Sequence, residues 1–206
     1  VESPDWADQV TVHDLISHQG GLFDWTPWEP AADDAQLRSI AEGEFAAAEW
    51  AMADPGVFYN YSNPNFSIAG LVAEDAAGVP WADLVTERIF APLAMDHTFA
   101  RLSEVVDYGN YATGTGLSFD GAVDWFNPLV FPAYSFGPVP IEEMVDHAFV
   151  RPAGLVWSTA SDQARYLGEF WIRGDEDVLS DELRTAATTM QVAEYPSIPI
   201  QGYGYG

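Results

Sequence analysis

The sequence has no cysteine and no lysine, so all of its permanent cations are its 7 arginines. Without cysteine there is no disulfide, no zinc–thiolate centre and no cysteine nucleophile. The redox compartment therefore stays open. Positive charge is scarce: Lys+Arg 7 stands against Asp+Glu 32, a formal net charge of -25. A field of that sign repels phosphate backbones and anionic membrane surfaces, which argues against nucleic acid and bilayers as partners. No apolar run is long enough to span a membrane, and no signal-peptide pattern opens the chain. Internal repeats and low-complexity linkers are also missing.

What is present suits a packed core. Hydrophobic residues make up 48% and aromatic residues 14% of 206 positions, enough for one domain, or one and a part. The acids read either as a cation-binding or interaction surface, or as a hydrated surface that stays soluble in high salt. They are scattered rather than blocked, which favours the second reading and with it a halophilic source.

One stretch organises the rest, Phe58-Tyr59-Asn60-Tyr61-Ser62-Asn63-Pro64-Asn65. It follows the turn pair Pro55-Gly56 and leads into a helix. Asn63 suits the N-cap, and Pro64 suits the first helical position, where its missing N–H costs nothing. Tyr61 and Asn63 then lie on a fixed loop, able to face one cleft. A phenol and an amide so placed can supply a proton-transfer group and a hydrogen-bonding group. By themselves they read as readily as a packed tyrosine and a plain cap.

Other elements follow from spacing. Thr11 to Asp14 fits a capping box at a helix start, with Gly20 and Gly21 as its stop. Trp25, Pro27, Trp28 and Pro30 suggest a loop packed by rings, either under the loop or against a substrate. Asp33 or Asp34 can cap a helix through Ile40, and Glu44 to Met52 is helical by propensity. Phe66 to Ala77 is apolar on more than one face, which predicts a buried helix, with small residues allowing close backbone packing. A further helix starts near Pro80 and closes at Pro92. Residues 99–150 suggest loops with short strands. Ser158 or Thr159 caps another helix, with Asp162 able to complete a box with Thr159 and Leu167, Phe170 and Trp171 as its apolar face. Asp181 to Met190 predicts a last helix, and Tyr203 to Gly206 a strand. His13 and His18 are five apart, which puts them on different helix faces and argues against a shared metal.

Four of these stretches together resemble the serine β-lactamase-like hydrolases, the group of class C β-lactamases, D-aminopeptidases and esterases related to penicillin-binding proteins. Val10 to Leu22 is similar to the family's helix ending in His-Thr-Ser-Gly-Leu, with Gln19 and Gly20 as departures. Tyr61-Ser62-Asn63 resembles its Tyr-x-Asn motif. Ile89 to Thr98 matches a third segment, where the family usually has Gly in place of Ala94. Ala153 to Tyr166 resembles Gly-Leu-x-Ser-Thr-Ala-x-Asp-x-Ala-Arg. The resemblance implies an α+β, β-lactamase/transpeptidase-like fold, with residues 1–206 a partial domain, mostly its helical part with little of the antiparallel sheet.

It also implies acyl transfer through a serine ester followed by hydrolysis. Tyr61 matches the catalytic tyrosine and Asn63 the residue that binds the substrate amide. A chain without lysine cannot hold the family's Ser-x-x-Lys, and none of its histidines starts the downstream His-x-Gly. The expectation is therefore an internal fragment, inactive alone, of an enzyme acting on a β-lactam, a D-peptide or an ester. The alternative is a catalytically dead binding or scaffold module using the same cleft. The resemblance calls for no cofactor and no metal, and it favours an extracytoplasmic location. The aromatic loops at Trp25 to Trp28 and Trp125 to Phe136 would line the cleft. The charge reading has its own test: stability against urea should rise with added potassium chloride into the molar range. A chain most stable without salt would refute the halophilic reading.

Overall fold

The structure, a computed structural model, describes residues 6–27, 29–44, 50–112, 115–119, 122–124, 138–140, 146–173, 178–195 and 201–205. Its helix starts show which signals in the sequence acted locally. Helix α1, Val12–Ile16, opens on the expected reciprocal box: Asp14 N–H donates to Thr11 Oγ1 (3.2 Å) and Thr11 N–H to Asp14 Oδ2 (2.9 Å). It ends at Ser17, a turn before the glycines. Helix α2, Ala35–Glu44, starts beneath Asp33, whose Oδ1 accepts from Ala35 N–H (3.0 Å), and it runs past Ile40. The helix expected over 44–52 does not continue to its end. Trp50 and Met52 pair instead with the strand-like segment at Gly21 to Phe23. Residues 45–49 lie outside the described residues.

Helix α3, Asn63–Ala77, has Ser62, not Asn63, at its cap position, so the expected self-cap is absent. It is also less enclosed than its apolar pattern suggests. Pro64, Asn65, Ser67 and Gly70 are buried, whereas Val72 is exposed. The small residues do allow the close approach expected. A Cβ on Gly70 would come within 2.4 Å of Pro152. Gly78, at φ 73, closes the helix in the left-handed conformation that glycine tolerates. Helix α4, Trp81–Val85, runs on into a π-helical turn, Thr86–Phe90.

Helix α5, Leu102–Tyr108, lies in a stretch read as loops and short strands, and Arg101 at its cap position offers no side-chain acceptor. Its free N–H groups go to Glu104, one turn on, and to Asp146, distant in sequence: Leu102 N–H donates to Asp146 Oδ2 (3.0 Å). Strands β1 (Thr115–Phe119), β2 (Ala122–Asp124) and β3 (Pro138–Pro140) form an antiparallel sheet in the order β2-β1-β3. Helix α6, Ala160–Arg165, is capped by Thr159, but the Asp162 carboxylate does not close the box. It is buried and accepts instead from His97 N–H (2.8 Å) and Thr98 Oγ1 (3.0 Å), clamping the turn after Met95. Leu167, expected on an apolar face, is exposed; the Phe170 and Trp171 side chains lie outside the described set. Helix α7 (Asp181–Thr188) and the antiparallel pair β4 (Val192–Tyr195) and β5 (Gln201–Tyr203) complete the described chain.

Two apolar clusters meet at Trp81. One gathers Phe90, Leu93, Met95 and Ala100; the other gathers Leu37, Phe149 and Val150. Beside the second cluster lies a buried ionic knot. The Arg151 side chain is 3% exposed and donates through Nε and Nη2 to both oxygens of Asp146, at 2.8 Å each. Its Nη1 reaches Asp34 (2.5 Å) and its Nη2 also reaches the Ala32 carbonyl (2.7 Å). Arg101 closes the knot through Asp34 (2.7 Å), Asp83 (2.7 Å) and Glu104 (2.9 Å). Burial alone would raise the Asp34 pKa, but the hydrogen bond from Arg101 and the charges of Arg101 and Arg151 hold it below the usual carboxylate value. Removing one member of such a group leaves an uncompensated buried charge. Arg151→Met should therefore cost about 3–5 kcal/mol in urea denaturation. Arg38→Met, which breaks a pair lying entirely at the surface with Glu42 and Asp75, should cause no measurable change.

Candidate active site

The loop carrying Tyr61 and Asn63 is stitched, residue by residue, to the segment after α1. Asn60 N–H donates to the His18 carbonyl (2.8 Å), and Asn60 Nδ2 to the Leu22 carbonyl (2.9 Å). Ser62 N–H donates to His18 Nδ1 (3.1 Å), and Ser62 Oγ to the Phe23 carbonyl (3.4 Å). Asn63 N–H donates to Asp24 Oδ1 (2.8 Å), so the cap that Asn63 does not give itself comes from across the loop. The backbone at Tyr61 is thus fixed from both sides.

The Asn63 side chain is equally constrained. Its Nδ2 donates to Asp24 Oδ1 (3.1 Å) and to Thr26 Oγ1 (3.0 Å), and its Oδ1 accepts from the Tyr61 hydroxyl (3.4 Å). With both amide hydrogens engaged, the spare capacity of Asn63 is a lone pair on Oδ1. Tyr61 is 51% exposed. Both residues line one cleft of about 280 Å³, whose other walls include Phe66, Pro152, Val156 and Tyr203. The structure therefore brings the two residues singled out in the sequence to one opening. A phenol hydroxyl and an amide oxygen at an open mouth can exchange a proton and accept a hydrogen bond from a bound group.

The aromatic loops contribute differently. Trp25 packs on Trp50 (5.5 Å) and Phe149 (6.1 Å) and does not line this cleft. Trp28 and residues 125–136 lie outside the described residues.

The residue that the sequence reading gave no role is His18. It is 2% exposed and stands at φ 57. Its ring touches Tyr61 (4.5 Å), Phe66 (4.9 Å), Tyr203 (4.9 Å) and Tyr59 (5.8 Å). Burial pushes its pKa down to about 4. The Ser62 N–H at Nδ1 places the ring proton on Nε2. His18 is a neutral acceptor that seats the Tyr61 loop. Its place in the His18-Gln19-Gly20-Gly21-Leu22 segment was the available signal. Gly20 belongs to the same packing: a Cβ there would fall 2.2 Å from the Asn65 Oδ1.

The lowered pKa fixes the sign of a pH effect. The unfolded state takes a proton near 6.5 and the folded state only near 4, so stability is complete above about 6.5 and falls as pH drops through that window. The loss can reach about 3 kcal/mol. His18→Asn keeps an acceptor for Ser62 N–H and tolerates a positive φ. It should remove the extra slope between pH 6.5 and 4 in parallel denaturation series.

Comparison with known proteins gives the family and the fold. Residues 2–206 match the Beta-lactamase family. The chain is 30% identical over 208 residues to a D-aminopeptidase of Brucella ovis, covering 95% of this chain and 34% of that protein. It thus spans about a third of the length of the curated relatives it matches. The structure of a D-amino acid amidase from Ochrobactrum anthropi SV3, complexed with L-phenylalanine amide, superposes with a TM-score of 0.72 at 23% identity, over 98% of this chain and 54% of the other. That of an octameric penicillin-binding protein homologue from Pyrococcus abyssi gives 0.68 at 22%, over 95% and 42%. At such identities these likenesses establish the fold alone.

Proposed function

From the premise that this chain belongs to the Beta-lactamase family, we propose that the whole protein is a serine hydrolase working through an acyl-enzyme on an amide, a β-lactam or an ester. The observation that carries the proposal is the Tyr61 hydroxyl 3.4 Å from Asn63 Oδ1 at the mouth of an open cleft. The names of the D-aminopeptidase and D-amino acid amidase relatives favour an amide of a D-amino acid as the substrate.

In this reading, a serine from outside these 206 residues attacks the carbonyl carbon of the substrate. Tyr61 takes the serine proton as general base and returns it to the leaving group. Water then cleaves the ester. A phenol ordinarily titrates near 10, and an ammonium beside it favours the phenolate. The lysine of Ser-x-x-Lys supplies that charge, again from outside this chain. Arg151 also borders the cleft, but its charge is already met by Asp146 and Asp34. Asn63, with its amide hydrogens held by Asp24 and Thr26, accepts a substrate N–H at Oδ1.

Tyr61→Phe removes one exposed hydroxyl and should leave the melting temperature of the whole protein within a degree or so. Loss of a positioned general base is worth about 10²–10⁴-fold in rate. Turnover of a D-amino acid p-nitroanilide or a chromogenic ester should fall by that factor. Unchanged kcat in this variant would remove Tyr61 from the mechanism.

A further inference from the structure

Among the described residues, the cleft beside Tyr61 has a larger counterpart. Behind the loop that holds Asn63 lies a second space of about 640 Å³, within the range of small-molecule sites. Its walls are Trp25, Thr26 and Glu29 on the loop, Gln36 and Ile40 on α2, and His147. Thr26 belongs to both sides, since its hydroxyl also accepts from Asn63 Nδ2 (3.0 Å).

Three observations point to a ligand and to its chemistry. His147 is 2% exposed, and its Nδ1 has no hydrogen-bond partner. Buried ring nitrogens in folded proteins are almost always paired, so an unpaired one beside a cavity suits a ligand that brings a donor. Burial and the Arg151 charge push the His147 pKa below its ordinary value, so the ring is neutral and one of its nitrogens is an acceptor. Second, Trp25 and Ile40 offer apolar walls, and an indole face attracts cations. Third, among the described residues lining the cavity the exposed carboxylate of Glu29 is the formal charge, and none of them is an arginine.

We propose that this cavity binds a small organic amine, a protonated amino group on an aromatic or branched apolar body. Glu29 draws in the ammonium, whose N–H groups donate to the His147 imidazole and the Gln36 amide oxygen. The apolar body lies against Trp25 and Ile40. The site is separate from the Tyr61 cleft and does not depend on the activity assigned there.

The test is isothermal titration calorimetry of the whole protein at pH 7.5 with phenethylamine as probe. One site should fill with a Kd below about 1 mM. Phenylacetate, similar in shape and opposite in charge, should bind at least about tenfold more weakly. Ile40→Trp fills the cavity and Glu29→Arg reverses the charge at its wall; each should weaken phenethylamine about tenfold or more. Glu29 is exposed, so its variant decides the matter if Ile40→Trp does not fold. Val156→Trp, which narrows the Tyr61 cleft instead, should leave the Kd unchanged. Absence of binding at 10 mM (roughly a 3 kcal/mol limit), equal binding of phenylacetate, or full affinity in Glu29→Arg would overturn the proposal. So would loss of binding in Val156→Trp, which would assign the probe to the cleft.

Discussion

A buried guanidinium joins the core of this chain to its cleft. Arg151 is buried beside a small apolar cluster, where an unpaired charge would be untenable. It is tolerated because Asp146 takes it in fork geometry and Asp34 and the Ala32 carbonyl take the remaining donors. Those partners come from two separate stretches, residues 32–34 and Asp146, which must meet for the ion to be satisfied. Asp146 then also caps α5 through Leu102 N–H. The next residue, Pro152, sits against Gly70 of α3 and forms one wall of the cleft. In a chain with 32 acids and 7 arginines, carboxylates are plentiful and guanidiniums are not. The positions of the few arginines therefore decide where distant acids converge.

The second constraint is the seam between residues 18–24 and 60–63. Its donors are the backbone N–H groups of Asn60, Ser62 and Asn63 and their side chains, and its acceptors are the His18, Leu22 and Phe23 carbonyls with His18 Nδ1 and Asp24 Oδ1. A helix start leaves N–H groups unpaired, and here the acceptor for Asn63 comes from another loop. That arrangement frees Asn63 from capping itself. Its amide can turn toward Asp24, Thr26 and Tyr61 instead. His18, although close to Tyr61, is buried and its Nδ1 is occupied, so it serves as support rather than as a carrier of protons.

The aromatic residues divide by the same logic. Tyr61 keeps half its surface and its hydroxyl at an opening. Trp25 packs against Trp50 and Phe149, where much of its value is buried area. Nothing in ring content separates the two groups; only the fold around them does. Backbone strain tells a related story at Ala94. It stands at φ 51, a left-handed conformation that glycine adopts at no cost and that a Cβ disfavours.

The sequence by itself determined several local elements and the placing of Tyr61 and Asn63 on one loop at a helix start. Capping at Thr11 and Thr159, the glycine stop at Gly78 and the Tyr61-x-Asn63 spacing are short-range features, fixed by residues three or four apart. Family membership was legible from four segments in order, because motifs record local geometry. What only the tertiary structure decided was every partner distant in the chain. Asp24 as the cap for Asn63, Asp162 turned to Thr98, α5 capped by Asp146 and His18 beneath Tyr61 each join residues dozens of positions apart. A carboxylate or an imidazole carries no sign in the sequence of which distant N–H it will meet. That choice is made when packing brings buried donors and acceptors together and leaves them no water to turn to.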